Sequence, residues 1–277
     1  MKRTAAILVS NPLSLHGLTL VGAVVAGALL ADFIAPFPEH RGAVVDFANF
    51  NRPPEWPYVM GTDLVGRDLF SRILYAYRIS LVLGVVVLAI ATPIGVLVGL
   101  AAGYAGGWTE SVLMRVTDVF LSIPPLVLAM SIMGVLEPTL VNGMMAVTAM
   151  WWPWYARLVY NMTRAEKEEG YVLAAEVIGA SPLHVMFREI LPNCFPSIIT
   201  KMTLDLGFII LIASSLSFLG LGVQPPTPDL GSMVADGAKY LPDSWWLTIF
   251  PSLAILVAVF GFNLIGDALR ELFGADQ

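Results

Sequence analysis

Residues 164–192 read RAEKEEGYVLAAEVIGASPLHVMFREILP. Three cations, Arg164, Lys167 and Arg188, face five glutamates, Glu166, Glu168, Glu169, Glu176 and Glu189, so the stretch carries a net charge of −2. A plain helix–helix connection usually needs only a few residues. This one is far longer, and it mixes apolar and polar residues at helical spacing. Val172, Ala175, Val177, Ile178 and Gly179 make a patch of small apolar groups, and Gly179 interrupts the periodicity. Ser181-Pro182 starts a second helix, with serine as N-cap and proline at the first helical position. The expected local structure is helix, glycine turn, second short helix. Physics alone leaves open whether this is a defined helix–turn–helix element or a solvated amphipathic hairpin lying on a membrane surface.

Outward from this loop the chain turns apolar on both sides. Apolar residues make up 57% of the 277 and charged residues 13%, about half the share usual in soluble domains. The mean hydropathy is +0.77. So few charges cannot cover a water-facing surface, so most of the chain is expected to face lipid. A spanning helix needs about 20 mostly apolar residues. Six segments qualify: 15–35, 79–103, 112–136, 139–160, 198–221 and 246–265. The expected fold is an all-α membrane protein of about six transmembrane helices. Lys2, Arg3 and Ala26-Gly27-Ala28 give the first segment the look of a signal peptide, but its apolar run continues to Ala35. It is read as a span. Gly95, Gly99 and Gly103 form a small-residue seam for close helix packing.

Lysine and arginine placement sets the orientation. With the N-terminus inside, Lys2, Arg3, Arg115, Arg157, Arg164, Lys167, Arg188, Lys201 and Arg270 fall on the cytoplasmic side. Arg41, Arg52, Arg67, Arg72, Arg78 and Lys239 fall outside. The balance favours N-in and C-in, with the 164–192 loop in the cytoplasm.

Catalytic chemistry has little to stand on. No lysine follows a glycine, which rules out a G-x-x-x-x-G-K-[ST] phosphate loop in this chain. His16, His40 and His184 have no ligand spacing, and the single Cys194 reads as a buried apolar residue. No metal, cofactor or nucleic-acid partner is expected. Asp63, Arg67 and Asp68 do not fit a calcium loop and are read as pairing and capping residues. Arg115 and Asp118 can pair at i,i+3, and Lys201 and Asp205 at i,i+4. Met114, Met130, Met133, Met144, Met145 and Met150 are read as packing residues.

With these residues in view, Ala174-Ala175, Gly179 and Leu191-Pro192 resemble the loop that defines permease subunits of ATP-binding-cassette (ABC) importers. Leu173 stands where that family has a glutamate, and Glu176 where an arginine is common. Residues 61–72, GTDLVGRDLFSR, with Arg78-Ile79-Ser80-Leu81, and residues 217–237, SFLGLGVQPPTPDLGSMVADG, resemble its dipeptide/oligopeptide/nickel group. So do Arg115-Val116-Thr117-Asp118, Ser122-Ile123-Pro124-Pro125 and Phe262-Asn263-Leu264-Ile265-Gly266-Asp267.

The resemblance implies a type I ABC importer fold and the C-type member of a permease pair. Residues 1–77 would hold the first span and an extracytoplasmic loop, 78–267 the transmembrane domain, and 268–277 a cytoplasmic tail. It implies a non-catalytic subunit in a prokaryotic inner or plasma membrane. The partners would be a second homologous permease, two cytoplasmic ATPases that bind ATP and magnesium, and an extracytoplasmic substrate-binding protein. The ATPase contact would fall on Leu173, Ala174, Ala175, Glu176, Gly179, Ala180, Ser181, Leu191 and Pro192. Peptides would be the cargo, with nickel, glutathione or oligosaccharides as alternatives. An ion-coupled secondary transporter is the rival class. It would call for paired ionisable groups at mid-membrane and repeated broken helices.

Overall fold

The computed structural model describes residues 12–274. Lys2 and Arg3, used for orientation, lie outside the described residues, as does the end of the tail, 275–277. The described residues are helical, with only two isolated bridges and no strand. The helices are α1 (Pro12–Leu29), α2 (Ala31–Ile34), α3 (Leu69–Ala105), α4 (Gly107–Ser122), α5 (Pro125–Met133), α6 (Leu140–Lys167), α7 (Gly170–Val177), α8 (Pro182–His184), α9 (Leu191–Phe218), α10 (Leu230–Ala238) and α11 (Trp246–Gly274). Four helical runs are long and apolar enough to cross a membrane: Pro12–Leu29, Leu69–Ala105, Pro182–Phe218 and Trp246–Phe273. A fifth is formed if α4 and α5 are taken together, although they bend by 85° at their junction.

That bend departs from the single expected span at 112–136. Ile123 is extended and Pro124-Pro125 follows, so the helix stops at Ser122 and restarts at Pro125. α6 departs in composition. It is 28 residues long, as a crossing needs, but its apolar residues are interleaved with Trp151, Trp152, Trp154, Tyr155 and Tyr160. α6 lies alongside α3, α5 and α9, so much of its surface meets protein rather than lipid.

The α3–α6 contact is the closest in the bundle, and the glycine seam explains it. A Cβ on Gly95 would stand 2.5 Å from the Trp152 carbonyl oxygen, one on Gly99 2.6 Å from the Ala156 oxygen, and one on Gly103 2.7 Å from Thr163 Cβ. The rising order on both helices shows that they run parallel. One core gathers Val87, Ala91, Leu100, Met133, Val147, Tyr155 and Val159 between α3, α5, α6 and α9. A second gathers Val24, Ile73, Ile210, Leu230, Trp246 and Ala258 between α1, α3, α9, α10 and α11. α1 packs on α11 through Gly17 and Gly261, while Leu13, Leu15, Leu18 and Leu29 point outward.

At the end opposite the 164–192 loop, the connections interlock. Arg67 Nε donates to Asp63 Oδ2 at 2.7 Å, and Asp68 Oδ2 caps α3 by accepting from Ser71 N at 2.7 Å. Both roles match the sequence reading. Arg72 Nη1 donates to the His40 carbonyl at 3.1 Å and the Pro226 carbonyl at 3.4 Å, joining the two connections. Asn51 Nδ2 donates to Ser244 Oγ at 2.7 Å, and Trp246 Nε1 to the Thr62 carbonyl at 3.3 Å. Gly66, at φ +82°, lies so close to the Asp46 carbonyl that no Cβ fits. Asp118 does not pair along its own helix; it meets Arg157 of α6, because α4 runs beside α6.

Candidate functional site

The 164–192 loop emerges from the end of α6 and returns as α9. α7 turns Val172 and Ala175 into the first core, and this fixes the helix against the bundle. Its end is a Schellman closure. Ala180 N donates to the Ala175 carbonyl and Gly179 N to the Glu176 carbonyl, both at 3.0 Å. Gly179 has φ +87°, a conformation that costs other residues dearly, while a Cβ there would meet nothing within 4 Å. The glycine is therefore needed for its backbone angle, not for close approach. Ser181 Oγ accepts from His184 N at 3.3 Å, and Pro182 takes the first helical position, as expected.

The second helix is not short. α8 passes through a wide π turn, Val185–Ile190, straight into α9, closed by Leu191 N donating to the Met186 carbonyl. From Pro182 onward, the second half of the loop and the membrane helix are one continuous rod.

The expected small-apolar patch divides between two faces. Val172 and Ala175 point inward. Val177 and Ile178 are 87% and 84% exposed at the tip, with Leu173, Leu183 and Phe187 exposed beside them. Of the nine residues singled out in the sequence, Leu173, Ala174, Glu176, Gly179 and Ser181 are exposed around this tip. Ala175 is buried, and Ala180 packs half-buried on the core. Leu191 and Pro192 sit apart from the tip, at the root where α9 begins.

Glu176 reaches back to the bundle. Tyr104 Oη donates to Glu176 Oε1 at 2.9 Å, and Lys167 Nζ donates to the Tyr104 carbonyl at 2.7 Å. Both bonds land on the last turn of α3, and Lys167 satisfies one of its open carbonyls. A carboxylate at 176 can accept a hydrogen bond from the tyrosine hydroxyl, and that gives the reversed charge a local partner. At the other end of α7, Tyr171 Oη donates to Glu166 Oε2 at 2.6 Å and accepts from Asn193 Nδ2 at 2.9 Å. Burial, then the bond to Glu166, pushes the Tyr171 phenol up to about 12. Val177 and Ile178 were read from the sequence as part of the patch, not as its exposed tip, and neither Tyr104 nor the exposed Leu183 was singled out. An apolar pair just before a turn glycine was the available sign of a tip; nothing local marked Tyr104.

The loop is a helical hairpin with an exposed apolar tip, held on a bundle of long apolar helices. The family model for the binding-protein-dependent transport system inner membrane component matches residues 95–276. The chain belongs to this family. It is similar to the probable D,D-dipeptide transport system permease protein DdpC of Escherichia coli, 41% identical over 92% of this chain and 86% of that one. It is 38% identical to the dipeptide transport system permease protein DppC of Haemophilus influenzae, over 93% and 88%. It is 37% identical to the glutathione transport system permease protein GsiD of Pectobacterium atrosepticum, over 90% and 82%. Among solved structures, an inward-facing form of the MetNI methionine ABC transporter superposes with a TM-score of 0.55 at 19% identity, covering 73% of this chain and 93% of the matched one. That likeness bears on the fold. The chain is thus an inner-membrane permease subunit of a binding-protein-dependent transport system, with a fold like that of an ABC importer permease. Among the described residues no three His, Cys, Asp or Glu side chains group as a metal site would require.

Proposed function

We propose that this subunit forms half of the pathway of an ABC importer for di- and oligopeptides, and that residues 164–192 couple it to ATP use. The exposed apolar tip at Val177 and Ile178 carries the coupling reading: no described segment of the chain covers it, and it ends a helix anchored in the core by Val172 and Ala175. The relatives named for dipeptides, and one named for the tripeptide glutathione, support the peptide cargo. The remaining partners are a second homologous permease, two cytoplasmic ATPases carrying ATP and magnesium, and an extracytoplasmic binding protein. ATP-driven closure of the ATPases would move α7 and α8, and through α9 bias the bundle between inward- and outward-open states. A partner shifts such an equilibrium only by its differential affinity for the two states.

The topology we infer has six crossings with both termini inside. α6 runs beside α3 along the whole glycine seam, which supports counting it as a crossing despite its aromatic residues. α4 with α5 supplies the bent crossing between them. The tip is tested by Ile178→Asp. A carboxylate buried unpaired at an interface is costly, so ATPase co-purification should weaken by at least about a hundredfold while the permease pair still assembles. Undiminished ATPase retention would refute docking at the tip.

A further inference from the structure

Inside the bundle, α9 carries two charges one turn apart, and they are held unlike the surface pairs. Asp205 Oδ1 accepts from Lys201 Nζ at 3.1 Å, and Oδ2 accepts from Trp151 Nε1 of α6 at 2.9 Å. The Lys201 ammonium lies 5.5 Å from the centre of the Tyr155 ring and 5.9 Å from that of Trp154. Beside it, the Tyr155 hydroxyl is wholly buried without a hydrogen-bond partner. Asp205 is 8% exposed and Lys201 27%. Both charges face a groove of about 510 Å³ with Leu204 and Phe208 on its wall and Arg270 at its rim.

Stability gives little reason for this arrangement. A buried ion pair is often no better than apolar residues of the same volume. Ionisable groups inside a membrane bundle generally mark a pathway. The groove has the size of a small-ligand pocket, and its character fits: apolar walls with a few placed charges.

We infer that Lys201 and Asp205 form a way-station for the termini of a short zwitterionic peptide, with Lys201 and Arg270 taking the carboxylate and Asp205 the ammonium. The inference rests on the peptide reading above. A zwitterion can exchange into the Lys201–Asp205 pair with both of its own charges still matched, Arg270 also having Asp267 within 4.0 Å, and the apolar wall tolerates varied side chains. An anionic lipid headgroup would engage Lys201 and Arg270 and leave Asp205 without a role. Asp205 keeps Trp151 as a donor throughout, so it stays oriented when Lys201 swings to the carboxylate. Lys201 also lies on the rod that starts at Pro182, just past the Gly179 turn from the tip, about 15 Å along α9 from Leu191 at 1.5 Å per residue. Movement of the tip therefore reaches the site through the Gly179 turn and this rod.

The test is equilibrium binding of radiolabelled L-alanyl-L-alanine to the complete transporter complex in phosphatidylcholine nanodiscs, without binding protein. Uptake of the same dipeptide is measured in parallel. Saturable binding is expected, weakened at least about tenfold by Lys201→Gln and by Asp205→Asn, and largely kept by Lys201→Arg. Alanyl-alanine amide should be insensitive to Lys201→Gln, and N-acetyl-alanyl-alanine to Asp205→Asn. If both variants weaken all three probes equally, the pair is a structural brace and the site is refuted. Lys201-dependent retention of added cardiolipin, without peptide binding, refutes it in favour of lipid. Absence of dipeptide uptake by the intact wild-type system overturns the peptide reading and the site with it. Uptake accompanied by terminus-blind binding overturns the site alone.

Discussion

Replacing Gly99 by alanine tests whether the α3–α6 seam sets the geometry of the bundle. The added Cβ would stand 2.6 Å from the Ala156 oxygen, 2.8 Å from Tyr160 N and 2.9 Å from Val159 Cβ. Carbon contacts settle at about 3.5–4.0 Å, so α3 and α6 must part by roughly 1 Å. Two of the three neighbours are backbone atoms and cannot rotate away. Overpacking of this kind costs about 1–3 kcal/mol, against which alanine returns about 0.5–1 kcal/mol of helix propensity. The net expectation is a loss of up to about 2.5 kcal/mol. Gly22 in α1 is the control, because a Cβ there meets nothing within 4 Å. Gly22→Ala should gain about 0.5–1 kcal/mol. Equilibrium unfolding of the purified complex in mixed SDS micelles reads both changes. Shifts of the same sign and size would refute the close-packed seam.

Two further outcomes can be checked on the same preparation. Burial pushes the Asp68 carboxyl above its ordinary 3.8, against the bonds from Ser71. A carboxyl that holds its proton more tightly when folded stabilises fully below its unfolded pKa, and the contribution is lost as pH rises through the folded one. The thermal midpoint should therefore fall as pH rises from about 3.8, and Asp68→Asn, which can still cap α3, should flatten the slope. Burial also raises Asp229, so a residual slope of the same sign should remain until Asp229→Asn is added; an unchanged profile in the double variant contradicts the assignment. Cys194 is the single cysteine and is buried. In a Cys194→Ser background, Val177→Cys should react with an impermeant maleimide only from the cytoplasmic face, and Trp56→Cys only from outside; the reverse pattern overturns the inferred topology.

Local chemistry made some features readable in the sequence. Ser181-Pro182, Asp68 and Gly179 act through neighbouring backbone, and each does what its residue type requires. The glycine seam was readable as a periodicity, although its partner, α6, was not. The bend between α4 and α5 was missed because hydropathy sums across Pro124-Pro125, while backbone angles do not. Asp118 was given to Arg115 by spacing, yet it meets Arg157, a contact that only the packing of α4 against α6 creates. Glu176 stood out as a departure from the family loop, and its partner Tyr104 lies 72 residues away on another helix. The Lys201–Asp205 pair was readable as an i,i+4 bond, but Trp151 and the groove come from tertiary structure. The exposed tip needed the direction in which α7 buries Val172, and that depends on the core below it.

In the proposed mechanism, movement of the 164–192 tip by ATPases drives peptide transport. Reconstituting the complete complex in proteoliposomes with binding protein and radiolabelled L-alanyl-L-alanine tests it most directly. Uptake should require internal ATP, ignore an uncoupler, and disappear in the Val177→Asp, Ile178→Asp double variant while the permease pair remains assembled. Uptake that persists without ATP and collapses with the uncoupler, or that survives the double variant, would contradict the account.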